Sequence, residues 1–187
     1  TAAPDTNFVT LIDEPFDTVL TNAPAGWTFS GVTNYSATYY GRAVPSVKFD
    51  SDGDYIVSPT FLYGTNVQFW MRAVTAAGTG TFVVAQYSGG SWSTLGVVTN
   101  PSNTGTTYSF DLSETVSQLK FTWNKTYSNI ALDDVIVTGP RGTAAVYLLD
   151  LHQAYNGAAR TVSATTMPAG LTVSLTYAGN AWAPTNI

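Results

Sequence analysis

The stretch that decides the fold reads Val67-Gln68-Phe69-Trp70-Met71-Arg72-Ala73-Val74, followed by Thr81-Phe82-Val83-Val84-Ala85-Gln86-Tyr87. Both runs are rich in β-branched and aromatic residues and are bounded by Gly and Asn, which is typical of strands. Ser88-Gly89-Gly90-Ser91 has the composition of a short hairpin turn, and residues 92–98 then run back as the partner strand. This stretch therefore predicts antiparallel β-structure.

The rest of the chain repeats the same pattern of short strands and turns. Residues 119–123 alternate with period two, and residues 130–137 supply another strand. No window carries a capped apolar stripe with the 3.6-residue period of a helix. Short strands at regular spacing predict an all-β fold, a jelly-roll β-sandwich.

The composition indicates a neutral, extracellular type of surface. Hydrophobic residues make up 44 % of the 187 residues, whereas charged residues make up only 10 %. An average soluble domain has roughly 25 % charged residues. Thr, Ser, Asn and Gly fill the polar positions instead, which is common in wall-associated and carbohydrate-binding proteins. We therefore expect a secreted or cell-surface location.

Charge and residue content exclude several classes of function. The net charge is −5 and the seven Lys and Arg residues are scattered, so we expect no nucleic-acid partner. The chain has no cysteine, which excludes disulfides, thiolate metal sites and a cysteine nucleophile. No apolar run reaches the length of a membrane span.

A domain boundary is predicted near Thr138-Gly139-Pro140-Arg141-Gly142, where two glycines and a proline follow a completed strand. The prediction is a sandwich over residues 1–139 and a second part over residues 140–187. The second part is too short for a comfortable core of its own, so we expect a short, incomplete small β domain.

Four ordered motifs occur within residues 8–138. They are Glu14-Pro15-Phe16-Asp17, Pro24-Ala25-Gly26-Trp27, Asp54-Tyr55-Ile56-Val57-Ser58-Pro59 and Ala131-Leu132-Asp133-Asp134-Val135. In this order they resemble the cleaved-adhesin and MAM-like jelly rolls of large secreted bacterial proteins. The resemblance implies a jelly roll with a binding or adhesive role.

A second set of motifs lies in the last part of the chain. They are Gln153-Ala154-Tyr155-Asn156-Gly157, Arg160-Thr161-Val162, Pro168-Ala169-Gly170-Leu171-Thr172-Val173, Tyr177-Ala178-Gly179-Asn180 and Ala183-Pro184-Thr185-Asn186. This part resembles the MBG or YDG-type repeat of bacterial surface proteins, without its final strand. We therefore expect the chain to be a piece of a longer protein, with other domains of the same parent chain as partners.

The resemblance to the cleaved-adhesin jelly rolls also implies a structural calcium site joining the first and last strands. Ca²⁺ takes about six to eight oxygen ligands, mostly carboxylates and carbonyls. Asp17 on the opening strand and Asp134 on the closing strand match the family's acidic positions, with Asp133 beside Asp134. The alternative is that one of this pair faces solvent and the other accepts backbone hydrogen bonds.

An acidic segment, Asp50-Ser51-Asp52-Gly53-Asp54, looks like the start of an EF-hand loop but does not fit one. Its glycine comes one residue early, and Phe61 stands where the bidentate glutamate belongs. We interpret the segment as an acidic turn entering a strand. A second, weaker cation site that includes Asp50 is the alternative.

Catalytic residues are scarce, and we expect no enzyme. Glycosidases need two carboxylic acids across a cleft, and the only glutamates are Glu14 and Glu114. The single histidine, His152, lies in the second part, so a catalytic triad would have to reach across the boundary. The chain also lacks the histidine and cysteine ligands that a zinc hydrolase needs.

Aromatic residues are the strongest candidates for a function, because sugars bind by stacking on Trp and Tyr rings. Alternation places Val67, Phe69 and Met71 in the core and turns Gln68, Trp70 and Arg72 to the other face as a candidate ligand platform. The alternative is that a loop covers Trp70 in a sheet buried on both sides.

Further candidates are rings in loop-like, polar surroundings, where binding proteins place recognition residues. They are Tyr35, Tyr39, Tyr40, Trp92 and Tyr127. By contrast, Trp123 shares its face with Phe121 and is expected in the core, and Trp27 is expected to plug the end of the sandwich.

These observations predict a non-catalytic recognition module with a polysaccharide or another glycan as partner. A protein-binding adhesin domain and a passive spacer are the alternatives. Exposed rings clustered on one face or on one loop rim favour the first function, and a broad flat apolar patch favours the second. Burial of every tryptophan favours the spacer.

Overall fold

The computed structural model describes residues 8–18, 22–75, 80–113, 115–140, 145–152, 158–167 and 172–177. All regular structure in these residues is β, so the all-β prediction is confirmed. The chain divides into two compact units, residues 1–141 and 142–187. Within the described residues, no helix is long and apolar enough to cross a membrane.

Two antiparallel sheets form the first unit. Sheet I has the strand order β3-β4-β11-β6-β9, and β1 pairs with β11 beyond the end of β4. Its strands are β1 (Phe8–Glu14), β3 (Thr33–Tyr35), β4 (Ser46–Phe49), β6 (Asn66–Ala73), β9 (Thr106–Asp111) and β11 (Ile130–Pro140).

Sheet II has the strand order β2-β5-β10-β7-β8. Its strands are β2 (Thr28–Ser30), β5 (Asp54–Val57), β7 (Gly80–Ser88), β8 (Ser91–Thr99) and β10 (Gln118–Lys125). The inner faces of the two sheets pack together and form the core, so the molecule presents two outer sheet faces on which a ligand could lie.

Aromatic side chains fill the space between the sheets. Phe69 of sheet I contacts Phe82 and Phe121 of sheet II, with ring centroids 5.7 and 5.4 Å apart. Trp123 is fully buried, and its Nε1–H donates to the carbonyl oxygen of Ser128 at 3.1 Å. Burial of a ring this size contributes a few kcal/mol at about 25 cal/mol per Å². The core placement expected for Trp123 is confirmed.

The deciding stretch folds as its pattern predicts. In β6, Val67, Phe69 and Met71 are buried, and the residues between them face outward. A two-residue Gly89-Gly90 turn joins β7 to β8, with φ values of 59° and 87°. Two residues with positive φ give the type I′ turn that matches the twist of a hairpin, and glycine adopts it without strain.

Trp27 is also buried, and its ring meets Phe16 edge-on with centroids 5.2 Å apart. Its backbone N–H donates to the carbonyl oxygen of Pro24 at 3.0 Å, which closes the predicted turn. Both rings belong to the core cluster, so this turn is packed against the hydrophobic interior.

The second unit contains a two-stranded antiparallel sheet, β12 (Ala145–Leu149) with β13 (Ser163–Met167). The hydroxyl of Ser163 donates to Asp150 at 2.7 Å, and the backbone N–H of Val162 donates to the hydroxyl of Tyr177 at 3.0 Å. Residues 146–149 are exposed.

Candidate functional site

The predicted platform around Trp70 lies on the outer face of sheet I, but it is not an open surface. Trp70 is only partly exposed. Gly105, in the segment between β8 and β9, lies so close to the indole that a Cβ there would overlap its ring carbons. The segment that contains Gly105 thus covers Trp70, as the alternative to an open platform predicts. Of Gln68, Trp70 and Arg72, only Gln68 is exposed.

Arg72 lies beside Tyr35 on this covered face. Its Nε atom is buried and has no hydrogen-bond partner among the described residues. The positive charges of Arg72 and Lys48 both act on the Tyr35 hydroxyl. Arg72 therefore belongs to a partly buried cluster on the outer side of sheet I.

The prediction of Tyr35 as a loop residue on a recognition surface was wrong. Tyr35 ends strand β3 and is 8 % exposed. Lys48 Nζ lies 5.5 Å from its ring centroid. Burial raises the pKa of its hydroxyl, while a hydrogen bond with Asn129 acts in the opposite direction. A ring held in this way has little surface left for a ligand.

Tyr39 and Tyr40 are exposed, as predicted, in the segment that crosses from β3 to β4. Backbone N–H groups hold this segment in place: Ala43 donates to Asp133 Oδ2 at 3.0 Å, and Gly41 donates to Ser46 Oγ at 2.8 Å. The two rings are thus carried on a loop that is anchored to the outer side of sheet I.

The acids predicted to bind calcium do not form one ligand set. Asp133 is fully buried and accepts hydrogen bonds from loop N–H groups. Asp134 pairs with Arg42 at 3.2 Å, and Asp50 pairs with Lys48 at 2.7 Å. Asp17 is exposed beyond the end of β1. Because donors already occupy three of these carboxylates, the residues do not fit a calcium ion as they are arranged.

No group of three acidic or histidine side chains that could hold a metal occurs in the part of the chain that the structure describes. The alternative for the pair Asp133 and Asp134 was that one of them accepts backbone hydrogen bonds, and Asp133 does so. Burial raises its pKa to about 6, the Asp134 charge adds to this, and the N–H groups of Ala43, Arg42 and Asp134 lower it.

The acidic segment 50–54 is a hydrogen-bonded turn. Asp54 Oδ2 accepts from the backbone N–H groups of Asp50 and Ser51 at 2.9 and 2.8 Å. Asp52 Oδ1 accepts from the backbone N–H of Lys125 at 2.9 Å. Asp52 and Asp54 therefore stabilise the entry into β5, as the interpretation as an acidic turn predicts.

The candidate catalytic residues Glu14 and His152 belong to different units of the chain. Glu14 accepts a hydrogen bond from the backbone N–H of Phe16 at 3.0 Å, and burial raises its pKa, with Asp13 and Asp17 adding to the rise. Glu114 lies outside the described residues. His152 is exposed in the second unit.

The outer face of sheet II carries aromatic residues that sequence reasoning missed. Tyr55 of β5 faces outward, and Lys120 Nζ of the neighbouring β10 lies 4.0 Å from its ring centroid. On β7, two strands from β5, Tyr87 is paired with Trp92 of β8, with ring centroids 5.2 Å apart. Trp92 is 42 % exposed.

These four residues lie on a diagonal, which we call the outer stripe. The strand registers pair Tyr55 with Thr122 of β10 and Tyr87 with Gln118 of β10. The two tyrosines are therefore offset by four residues along the strand direction. At about 3.4 Å per residue and 4.8 Å per strand, the stripe extends about 20 Å from Tyr55 to Trp92. Its length suits an extended chain better than a single small molecule.

Uncharged side chains surround the outer stripe. The other outward positions of sheet II are held by Thr28, Ser30, Val57, Thr81, Val83, Ala85, Thr94, Val97, Thr99, Gln118, Thr122 and Asn124. Hydroxyl and amide groups alternate with small apolar side chains. The period-two alternation that places Phe121 and Trp123 in the core also turns Lys120 and Thr122 outward. This alternation was the feature of the sequence from which the outward face of β10 could have been predicted.

Trp92 is thus the one predicted ligand residue that lies on this open face. Tyr127 is 71 % exposed, but it lies in the turn that follows the last residue of β10. Trp92 is level with Gln118, at the first residue of that strand. The structure does not bring these two rings together.

Comparison with known proteins identifies the fold of the first unit. The K3 cleaved adhesin domain of Lys-gingipain from Porphyromonas gingivalis matches with a TM-score of 0.55 and 17 % identity, covering 70 % of this chain and 100 % of that domain. The K1 cleaved adhesin domain of the same protein matches with a TM-score of 0.57 and 18 % identity, covering 69 % and 98 %.

The fold is that of the cleaved adhesin domains. The resemblance inferred from four short motifs is therefore confirmed. In the second part of the chain, residues 144–187 match the model of the MBG domain family, which confirms the other resemblance. None of the curated proteins compared with the chain matches it.

Proposed function

We propose that the first unit is a non-catalytic recognition module of a secreted or surface-attached protein, and that it binds a polysaccharide on the outer face of sheet II. The observation that carries this proposal is the exposed Trp92 ring, packed against Tyr87 in line with Tyr55.

The chemistry of a sugar chain suits this surface. A pyranose ring has an apolar face of C–H groups, which stacks on an aromatic ring, and a rim of hydroxyls, which need hydrogen-bond partners. The outer stripe supplies rings at both ends, and Gln118 and Thr122 lie between them on β10. The outer surface of a sheet accepts an extended chain without a deep cleft.

The same face argues against hydrolysis. Glycosidases need two carboxylic acids beside the scissile bond. All described residues at the outward positions of sheet II are uncharged except Lys120. At these described positions, a sugar chain on the outer stripe would therefore meet no acid that could protonate its glycosidic oxygen.

The outer face of sheet I is the weaker candidate for the site. Trp70 is packed against Gly105, Tyr35 is buried, and the Arg72 guanidinium lies in a partly buried cluster. A ligand could stack on Trp70 only after the segment around Gly105 moved. Sheet II needs no such rearrangement.

A protein-binding adhesin domain is the second candidate. The apolar side chains Val83, Ala85 and Val97 lie beside the outer stripe on β7 and β8, and Val97 is half exposed. Such a band would also suit a flat protein partner. A segment similar to the MBG domain family, following the adhesin fold in the sequence, fits either role within a multidomain surface protein.

A pull-down on insoluble polysaccharides and a glycan array, each with and without EDTA, test the proposal. We expect at least one glycan class to bind wild type and to bind Trp92→Ala about tenfold more weakly, because the variant loses the stacking surface. Tyr127→Ala, which removes an exposed ring away from sheet II, should bind normally.

The opposite results would redirect the assignment. Equal binding by Trp92→Ala and wild type would move the site away from the outer stripe. Failure of the folded wild type to bind any glycan, together with binding to a protein ligand, would establish the adhesin function. Folded protein that binds neither would indicate a spacer.

A further inference from the structure

Charge is distributed unevenly between the two outer faces of the sandwich. The protein carries 12 acidic residues. On sheet I, Asp13 and Asp111 occupy outward positions together with Lys48 and Arg72, and Asp133 is buried on the same side. Among the described outward positions of sheet II there is no Asp or Glu. A ligand on the described outward positions of sheet II would therefore meet no carboxylate, although the net charge of the protein is −5.

One positive charge stands in the middle of the acid-free face. Lys120 is level with Val57 on one side and Ala85 on the other. Its ammonium group lies over the Tyr55 ring, 4.0 Å from the centroid, which fixes the charge at the surface. Neither of the salt bridges formed by the described residues involves Lys120.

Three other basic side chains of the first unit have partners in the structure, and a fourth, Arg72, is partly buried on sheet I. Lys48 pairs with Asp50 and Arg42 pairs with Asp134. Lys125 Nζ donates to the backbone carbonyl oxygen of Asp50 at 2.6 Å. Lys120 forms no salt bridge with a carboxylate among the described residues, and it is placed between the two ends of the outer stripe.

We propose that the ligand of this face is an anionic polysaccharide, with Lys120 pairing to a carboxylate or sulfate group of the chain while the rings stack on its sugars. This inference rests on the proposed function of the outer stripe and specifies its substrate class. A central ammonium group attracts an anion, and the described outward positions around it hold no carboxylate to repel that anion. An exposed hydrogen bond between charged groups adds affinity and a dependence on salt.

Matched pairs of polymers test the inference. Polygalacturonate and alginate are compared with their carboxyl-reduced forms, and a sulfated galactan with its desulfated form, by affinity electrophoresis at low and high salt. We expect one anionic polymer to bind best. Its neutralised form should bind about tenfold more weakly, as should Lys120→Gln with the native polymer. The pair that shows the loss identifies the anionic group.

The matched control is Lys125→Gln, which removes one positive charge from the same strand but away from the outer stripe. We expect it to bind like wild type, because a change in net charge alone does not remove the ion pair. Thermal melting of each variant confirms that it is folded. A loss of equal size in Lys120→Gln and Lys125→Gln would overturn the inference, because the effect would then be non-specific.

The outcomes separate this inference from the function on which it rests. Tight binding of a neutral polysaccharide that Trp92→Ala weakens and Lys120→Gln does not would overturn the anionic ligand and leave the proposed function intact. No binding to any polymer would overturn both. Selective loss in Lys120→Gln and in the neutralised polymer would support both.

Discussion

Trp92 and Tyr87 face each other across neighbouring strands, with ring centroids 5.2 Å apart and an angle of 54° between the ring planes. The pair is separated by the Ser88–Ser91 pair from the Gly89-Gly90 turn that joins the two strands. Its position has two consequences. Cross-strand rings of this kind stabilise a hairpin, and the exposed indole provides a stacking surface at the edge of sheet II.

The first prediction separates these roles. Trp92→Ala should lower the free energy of unfolding by less than about 1 kcal/mol, because a cross-strand pair on an exposed face contributes only that much. Trp123→Ala should lower it by about 3–5 kcal/mol, because it empties a fully buried site in the core. Chemical denaturation followed by circular dichroism measures both. Comparable losses in the two variants would mean that Trp92 is structural.

The second prediction concerns the cover over Trp70. Gly105→Ala should destabilise the protein by about 1–3 kcal/mol, because a Cβ there collides with the indole. The same substitution in a Trp70→Ala background should cost little, since the collision partner is gone. A double-mutant cycle measures the coupling between the two positions. Additive effects would show that Gly105 is not packed on the ring.

The third prediction uses the buried Asp133. Its pKa in the folded protein is raised from 3.8 to about 6, so between these two values the folded state holds more protons than the unfolded state. Stability contributed by this group should therefore rise as the pH falls from about 7 to 4, by on the order of 1–3 kcal/mol.

Asp133→Asn isolates that contribution. The amide oxygen can still accept the hydrogen bond from Ala43, but the side chain no longer titrates. The difference in unfolding free energy between wild type and Asp133→Asn should change across this pH range in favour of wild type at the acidic end. A constant difference would contradict a raised pKa.

The fourth prediction concerns calcium. The Asp133 carboxylate accepts backbone hydrogen bonds, Asp134 pairs with Arg42, and Asp50 pairs with Lys48. Because these carboxylates already have partners, we expect the melting temperature to be the same in EDTA and in millimolar Ca²⁺. Differential scanning calorimetry of the intact protein measures this. A higher melting temperature in Ca²⁺ would show that these side chains rearrange to bind the ion.

Local patterns were sufficient to predict the fold. Alternation in β6 placed Phe69 inside and Gln68 outside, and the double glycine after Tyr87 predicted the hairpin. Such features depend on near neighbours in the chain, so periodicity and turn chemistry reveal them.

The candidate site depended on contacts that no local pattern contains. Tyr35 lies in a stretch with loop-like composition, yet pairing of β3 with β4 places it under Lys48. Trp70 has the expected orientation, but its cover comes from Gly105, which is distant in sequence. The alignment of Tyr55 with Tyr87 requires the strand order of sheet II, which is set by tertiary packing.

The indole N–H signals in a ¹H–¹⁵N NMR spectrum test the central claim most directly. The protein has five tryptophans, and single Trp→Phe variants assign their signals. On addition of the polysaccharide that binds best, we predict that the Trp92 signal shifts while those of Trp70 and Trp123 stay in place. A shift of Trp70 with Trp92 unchanged would contradict binding on sheet II and place the ligand on sheet I.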